Sequence, residues 1–254
     1  MCGRFAITTD PALLAARIDA INEMPAGADA GPNYNVAPTD GIATVVSRYA
    51  DPGLAPKEPT RRVRLMRWGL VPPWTRPGPD GAPVGGGPLL INARAETITT
   101  TPAYRASAQR RRCLVPMDGY YEWRPEPRGL AGRKTRKTPF YIHGDGATLF
   151  AAGLWSIWRP DRRHAPLLSA AIITTAAVGE LAGIHDRMPL LLPENHWDSW
   201  LNPERPIDTA LLSRPPDVSK IALHEVSTLV NSVRNNGPEL IDAVAPQPEQ
   251  ARLL

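Results

Sequence analysis

A chain of 254 residues, 43% of them hydrophobic, is long enough for one large domain or two small ones and apolar enough to bury a core. Cys2 and Cys113 are too few for a disulfide framework, and no stretch approaches the ~18 apolar residues of a membrane helix, so neither a disulfide scaffold nor a helical membrane protein is expected. The formal charge of +4 and pI near 9.3 suit a polyanionic partner, and without a basic leader followed by an apolar run the expected location is the cytoplasm, in association with the nucleoid.

In chain order, Asp10 ahead of Pro11 is a helix start, and Leu13, Leu14, Ile18 and Ile21 recur with helical spacing, which predicts a helix over 10–21. A proline-bounded loop over 32–38 leads to a β-branched strand over 41–49; a proline-rich turn over 51–60 precedes an alternating strand over 63–70. Residues 76–88 are almost all Gly, Pro and small, and read as a mobile insertion. A strand over 89–93, a helix over 101–111 and a strand over 112–117 follow, then a second flexible, basic loop over 124–138. Further strands at 140–142, 149–158 and 168–174, short helices from 177 and over 193–201, and a disordered tail over 241–254 complete the reading. The strands predict a large mixed or mostly antiparallel sheet within one domain over 2–240, not repeated βαβ units.

Basic residues fall into three groups, Arg61 to Arg67, Arg105 to Arg112, and Arg128 to Lys137. Such clusters serve either as a solvated face or as a contact for a polyanion.

The first residues are Met1-Cys2-Gly3-Arg4. Removal of the methionine leaves a cysteine whose α-amine and thiol share one carbon frame. An aldehyde condenses with the amine to an imine, and the thiol closes on the imine carbon to give a thiazolidine. An α-amine titrates around ~7.7–8.0 and a free thiol near ~8.5, so both nucleophiles are partly available near neutral pH. Arg4 would favour the thiolate and hold an anion, and Gly3 would permit close approach. The plain alternative is an inert cysteine that happens to stand second.

Four polar stretches beside apolar strand ends are candidates for chemistry: 92–96, 121–123, 174–175 and 185–189. Glu122 between Tyr121 and Trp123 is either a desolvated general acid or base or a strand glutamate facing water. His185 beside Asp186 and Arg187 is either a tuned acid or part of an ion-pair cluster. No spacing of histidines and cysteines matches a metal site, and no phosphate-binding loop appears.

Nine segments occurring in order carry a resemblance: Met1 to Phe5, Asn35-Val36-Ala37-Pro38, Arg67 to Trp74, Ile91 to Thr97, Arg112 to Pro116, Asp118 to Trp123, Thr174-Thr175, His185 to Pro189, and Val230 to Val233. Together they closely resemble the SRAP family of SOS-response-associated peptidases, or abasic-site-processing proteins, from Cys2 to about Leu240. The resemblance implies an α+β fold: a single domain with a large, mostly antiparallel, barrel-like β core and peripheral helices. It implies capture of abasic sites in single-stranded DNA as a thiazolidine on Cys2 once Met1 is removed, with a minor AP-lyase activity and a nominal autopeptidase activity.

By position, Cys2 is then the nucleophile, Asn92 orients the sugar and the amino terminus, Glu122 moves protons at the amine, and His185 is the acid at the sugar oxygen. Arg4, Asn35, Arg94, Thr175 and Arg187 are the implied phosphate contacts. Pro38 and Trp68 would wedge against or stack on flanking bases, with a core role as the alternative for Trp68. The expected partner is single-stranded DNA containing abasic sites, with replication-fork proteins as candidates beside it, no cofactor or metal, no membrane, and a monomeric state. Two rival readings are an N-terminal-nucleophile cysteine amidohydrolase, which would turn over, and a non-covalent single-stranded DNA binder, which would not need Cys2.

Overall fold

The computed structural model describes residues 2–27, 31–49, 59–84, 87–126 and 136–244. The strands in chain order are β1 (Phe5–Ile7), β2 (Ala20–Asn22), β3 (Asn33–Val36), β4 (Gly41–Arg48), β5 (Thr60–Trp68), β6 (Asn92–Arg94), β7 (Arg112–Met117), β8 (Gly119–Pro125), β9 (Lys137–Gly144), β10 (Leu149–Trp158), β11 (Leu167–Ala176), β12 (Arg187–Pro189) and β13 (Ile221–Glu225). The helices are α1 (Pro11–Arg17), α2 (Pro102–Arg110), α3 (Trp197–Leu201) and α4 (Thr209–Ser213).

Strands β5, β4, β7, β10 and β11 pair antiparallel in that order, and a short parallel pairing of β11 with β5, Ser169 opposite Arg67 and Ala170 opposite Trp68, closes them into a five-stranded barrel. Gly153 stands opposite Cys113 in the pairing of β10 with β7, and a Cβ added to it would lie 2.8 Å from the Cys113 sulfur, in a cluster that also holds Val46, Met66, Trp155 and Ala170. Outside the barrel, Val45, Val63, Leu114, Ala152, Leu154 and Ala171 form one core with Leu14 of α1, Tyr104 of α2, Trp200 of α3 and Leu211 of α4. Apolar residues on both faces explain why β10 is buried along most of its length.

The second sheet, ordered β13-β9-β8-β1-β3, is antiparallel throughout. It joins the barrel where β7 runs into β8 through Asp118, whose carboxylate accepts from the Thr8 amide and hydroxyl, both at 2.7 Å. Gly119 follows because nothing larger fits: a Cβ there would lie 2.7 Å from the Ile142 carbonyl oxygen. The seam between barrel and sheet is filled by Cys2, Phe5, Trp68, Met117, Tyr120 and Ile172.

The α+β barrel architecture agrees with the expectation; several local elements differ. The helix expected over 10–21 starts as read, with the Asp10 side chain accepting from Ala12 and Leu13, but ends at Arg17. Asp19 takes φ 50, and Ile21 joins β2 instead, parallel to the edge of β5. The apolar run over 89–93 yields a single bridge, Leu70 to Leu90, and then β6, parallel to β11. Within the expected mobile insertion, Pro77 bridges Pro83 and Gly78 donates to Ala82 at 2.7 Å. The middle of the basic loop, 127–135, and the tail from 245 lie outside the described residues. No helix among the described residues is long and apolar enough to cross a membrane.

Candidate active site

Cys2 stands just ahead of β1, fully buried in the seam, and its thiol lies 4.0 Å from the Arg4 carbonyl oxygen. Burial pushes the thiol's pKa up, and the Glu122 charge adds to the effect. Burial thus favours the thiol form of Cys2, contrary to the thiolate that Arg4 was expected to favour.

Asn92 opens β6, which the parallel pairing with β11 (Ile172 opposite Asn92) delivers to the same seam. Its Nδ2 donates to the Cys2 carbonyl oxygen at 2.7 Å, and its own backbone carbonyl accepts from the Tyr104 hydroxyl at 2.9 Å. The pairing with β11 and the Tyr104 hydroxyl of α2 therefore fix the asparagine that holds Cys2.

Glu122 and Tyr120 alternate on one face of β8. Glu122 is 3% exposed, and burial raises its carboxyl above the ordinary range, opposed in part by the charge of His185. This decides between the two readings of Glu122: it is a desolvated carboxyl, not a solvent-facing one. The Tyr120 phenol is raised by burial and then by the charges of Cys2 and Glu122, which places all three groups together. Sequence reasoning missed Tyr120, although its two-residue spacing from Glu122 was the available signal. Among the described residues, the Tyr120 hydroxyl and Asn92 Oδ1 are buried polar atoms without a hydrogen-bond partner. Left so, each costs roughly 1–3 kcal/mol, an arrangement that suits a site awaiting a polar ligand.

His185 follows the one-turn helix Gly179–Gly183, whose Leu181 carbonyl accepts its amide at 3.1 Å. Its Nδ1 lies 2.8 Å from Asp186 Oδ1 and 3.0 Å from the Arg187 amide nitrogen, so both protonation states of that nitrogen find a partner. An open cleft lined by Arg124, Glu126, Gly183, His185 and Asp186 lies beside it.

The expected DNA contacts divide. Arg94 is exposed and its side chain makes no hydrogen bond or ion pair among the described residues. Pro38 is half-buried in a turn whose next residue, Thr39, takes φ 83, a strained conformation for a β-branched residue. Arg187 is bound by Glu96 at 2.6 and 2.9 Å and by the Thr174 carbonyl at 2.6 Å. Arg4 donates to Asn35 Oδ1 at 2.8 Å and to the Val230 carbonyl at 2.9 Å. Thr175 is 8% exposed and paired with Met188.

Two expectations need correction. Asn35 is buried, and its amide nitrogen already donates to the Ser232 and Asn235 carbonyls, both at 2.9 Å, while its oxygen accepts from Arg4; it orders Arg4 and has no atom left for a phosphate. Trp68 is 0% exposed, its Nε1 donates to the Ile91 carbonyl at 3.0 Å, and its ring centroid is 5.2 Å from that of Phe5. With no ring face open to solvent it is a core tryptophan, and cannot stack on a base from this position. Among the described residues no three His, Cys, Asp or Glu gather in a way that would hold a metal ion.

The model of the family described as SOS response associated peptidase (SRAP) matches residues 1–233. The chain belongs to that family. Among SRAP relatives, the abasic site processing protein YoaM of Bacillus subtilis is 36% identical over 96% of this chain and 98% of its own length. The abasic site processing protein YedK of Escherichia coli is 31% identical over 96% of this chain and 100% of its own. A crystal structure of a Bacteroides thetaiotaomicron protein matches the fold with a TM-score of 0.74 at 23% identity, over 96% of this chain and 100% of that one. The SRAP fold and the Cys2 site thus coincide in one chain, with every proposed reacting group in the matched span.

Proposed function

We propose that this protein processes abasic sites in single-stranded DNA by capturing them covalently on Cys2 after Met1 is removed. The observation that carries the reading is the hydrogen bond from Asn92 to the Cys2 carbonyl in a seam that also holds the buried carboxyl of Glu122. Names of relatives support the substrate: YoaM and YedK are both abasic site processing proteins.

The α-amine of Cys2 attacks the C1′ aldehyde of the ring-opened sugar, giving a carbinolamine. Glu122, whose raised pKa keeps it protonated to higher pH than an ordinary glutamate, gives its proton to the departing hydroxyl and takes one back from nitrogen. Water leaves and the imine forms. The thiol then adds across the C=N bond, its proton passing to nitrogen, so protein and DNA are joined with net loss of one water. His185 serves as acid at O4′ when the closed sugar opens. An imine that is not closed by the thiol permits β-elimination, so a low strand-cleaving activity accompanies capture. Arg94, Arg187 and Arg4 hold backbone phosphates without reading sequence.

Intact mass of the protein before and after incubation with an oligonucleotide carrying one abasic site tests this. The expected product has lost Met1 and weighs protein plus DNA minus one water; Cys2→Ala gives none. Absence of the adduct from a chain with a free Cys2 terminus overturns covalent capture, and catalytic turnover of an amide would place the protein among N-terminal-nucleophile hydrolases instead.

A further inference from the structure

Members of two of the basic groups read from the sequence, together with Arg48, meet at the end of the barrel that the chemistry does not use. Arg48 ends β4, Arg62 and Arg64 lie near the start of β5, and Arg111 immediately precedes β7. Arg62 and Arg64 share Glu23, the latter through Nε at 3.0 Å. Arg48 and Arg111 lie 4.6 and 5.9 Å from the ring centroid of Trp155, and neither side chain has a hydrogen-bonding or ion-pair partner among the described residues. Arg62 Nε is buried and likewise lacks one. Burial, then the charges of Arg64 and Arg111, pulls Arg48 below the ordinary arginine range, with Glu23 opposing. Arg48 thus stands among three other guanidiniums and the Glu23 carboxylate that Arg62 and Arg64 already hold, and the natural relief is an anion.

Ile42 of β4 packs in the Cys2 seam. Six residues further along the same strand, at ~3.3 Å each, Arg48 lies about 20 Å away. That is about six nucleotides at a rise of ~3.4 Å per nucleotide, within reach of a strand whose lesion sits at Cys2.

We propose that the Arg48–Arg111 end of the barrel is a second nucleic-acid contact, which takes backbone phosphates of the DNA flanking the lesion. Fork geometry and charge density fit a phosphodiester, and Trp155, 3% exposed, holds the two guanidiniums from beneath and does not itself stack on a base. The assignment rests on the abasic-DNA reading of the Cys2 site.

The test uses the Arg48→Gln/Arg111→Gln double variant and oligonucleotides carrying a tetrahydrofuran analogue, which lacks the aldehyde, so that binding stays at equilibrium. One oligonucleotide is about 5 nucleotides long and cannot reach the distal arginines; the other is about 25. The long one is expected to bind the variant at least about tenfold more weakly, with the slope of log K against log salt reduced by about 1.4 for two lost phosphate contacts. Binding of the short one is expected to stay the same, and Arg48→Lys/Arg111→Lys to restore the slope. Equal effects on both lengths, or none on either, overturn the inference. So does pyrophosphate, at constant ionic strength, binding the parent stoichiometrically while both oligonucleotides bind parent and variant alike, since the site would then serve a free phosphate compound. Crosslinking of the short oligonucleotide with a true abasic site reports separately on the Cys2 chemistry, so failure of one reading is distinguished from failure of the other.

Discussion

Asn92 donates its side-chain amide hydrogen to the carbonyl oxygen of Cys2 at 2.7 Å, tying the proposed nucleophile to β6 across 90 residues of sequence. Holding that carbonyl fixes the rotation of the residue that carries both nucleophiles. Asn92→Ala is expected to slow crosslinking about 100-fold, since a displacement of about 1 Å has that effect on an oriented reaction, while lowering stability by only about 1 kcal/mol. Tyr104→Phe removes the hydroxyl that supports Asn92 from α2 and is expected to give a smaller loss. Single-turnover crosslinking beside thermal melts checks both; parental rates in Asn92→Ala would remove the asparagine from the mechanism.

Glu122 links reactivity to stability through pH. Its pKa is raised in the folded chain, chiefly by burial. Between the ordinary carboxylate value and the raised one, the folded chain holds a proton that the unfolded chain has released, so this group's contribution to stability declines as pH rises through that window and stays low above it. Glu122→Gln should therefore match the parent in acid and exceed it in thermal midpoint above the window. Its crosslinking rate is expected to fall by about 10²–10⁴. Melts across a buffer series check the first effect, and a variant less stable than the parent at neutral pH would show that the carboxylate is compensated in the native seam.

Arg187, proposed to hold a backbone phosphate, is bound to Glu96, whose carboxyl the Arg187 hydrogen bonds hold below the usual range. Glu96 either withholds the guanidinium from phosphate or aims it. Because Arg187 is also held by the Thr174 carbonyl, its direction survives without Glu96. Glu96→Gln is thus expected to tighten binding of the tetrahydrofuran oligonucleotide and to steepen its salt slope by about 0.7, one phosphate contact. Weaker binding in a salt titration would assign Glu96 the aiming role.

Strands β4, β7 and β10 were legible because β-branched and apolar residues bury most of each strand. The barrel closure was not: two residue pairs between β5 and β11 leave no pattern in either segment. Ile21 kept the period of α1 while its backbone had turned at Asp19 into an edge strand, a case of tertiary pairing overriding a local signal. The Cys2 amine and thiol announced their chemistry locally, but the meeting of Asn92 and Glu122 with Cys2 came only through the order of family motifs. The Val230 and Ser232 carbonyls that order Arg4 and Asn35 have no sequence signature, because every residue carries that acceptor.

Trp68 was ambiguous because an indole suits a base stack and a core equally well. Its burial against Phe5 and its bond to the Ile91 carbonyl settle its place and yield a prediction that separates folding from DNA binding. Trp68→Phe keeps a ring in the seam but loses the Nε1 bond to the Ile91 carbonyl, which still accepts from the Ile172 amide at 3.0 Å, so the cost is that of one hydrogen bond, about 0.5–1.5 kcal/mol. Trp68→Ala would open a cavity and cost about 3–5 kcal/mol, a large share of the stability of a domain. A stacking residue behaves otherwise: its loss weakens binding by about 1–3 kcal/mol per base while leaving the fold intact. Urea unfolding and oligonucleotide titration of Trp68→Phe, run below its unfolding midpoint, are therefore expected to show reduced stability with parental affinity. The opposite result, parental stability with weakened binding, would require the indole to leave the seam when DNA is bound.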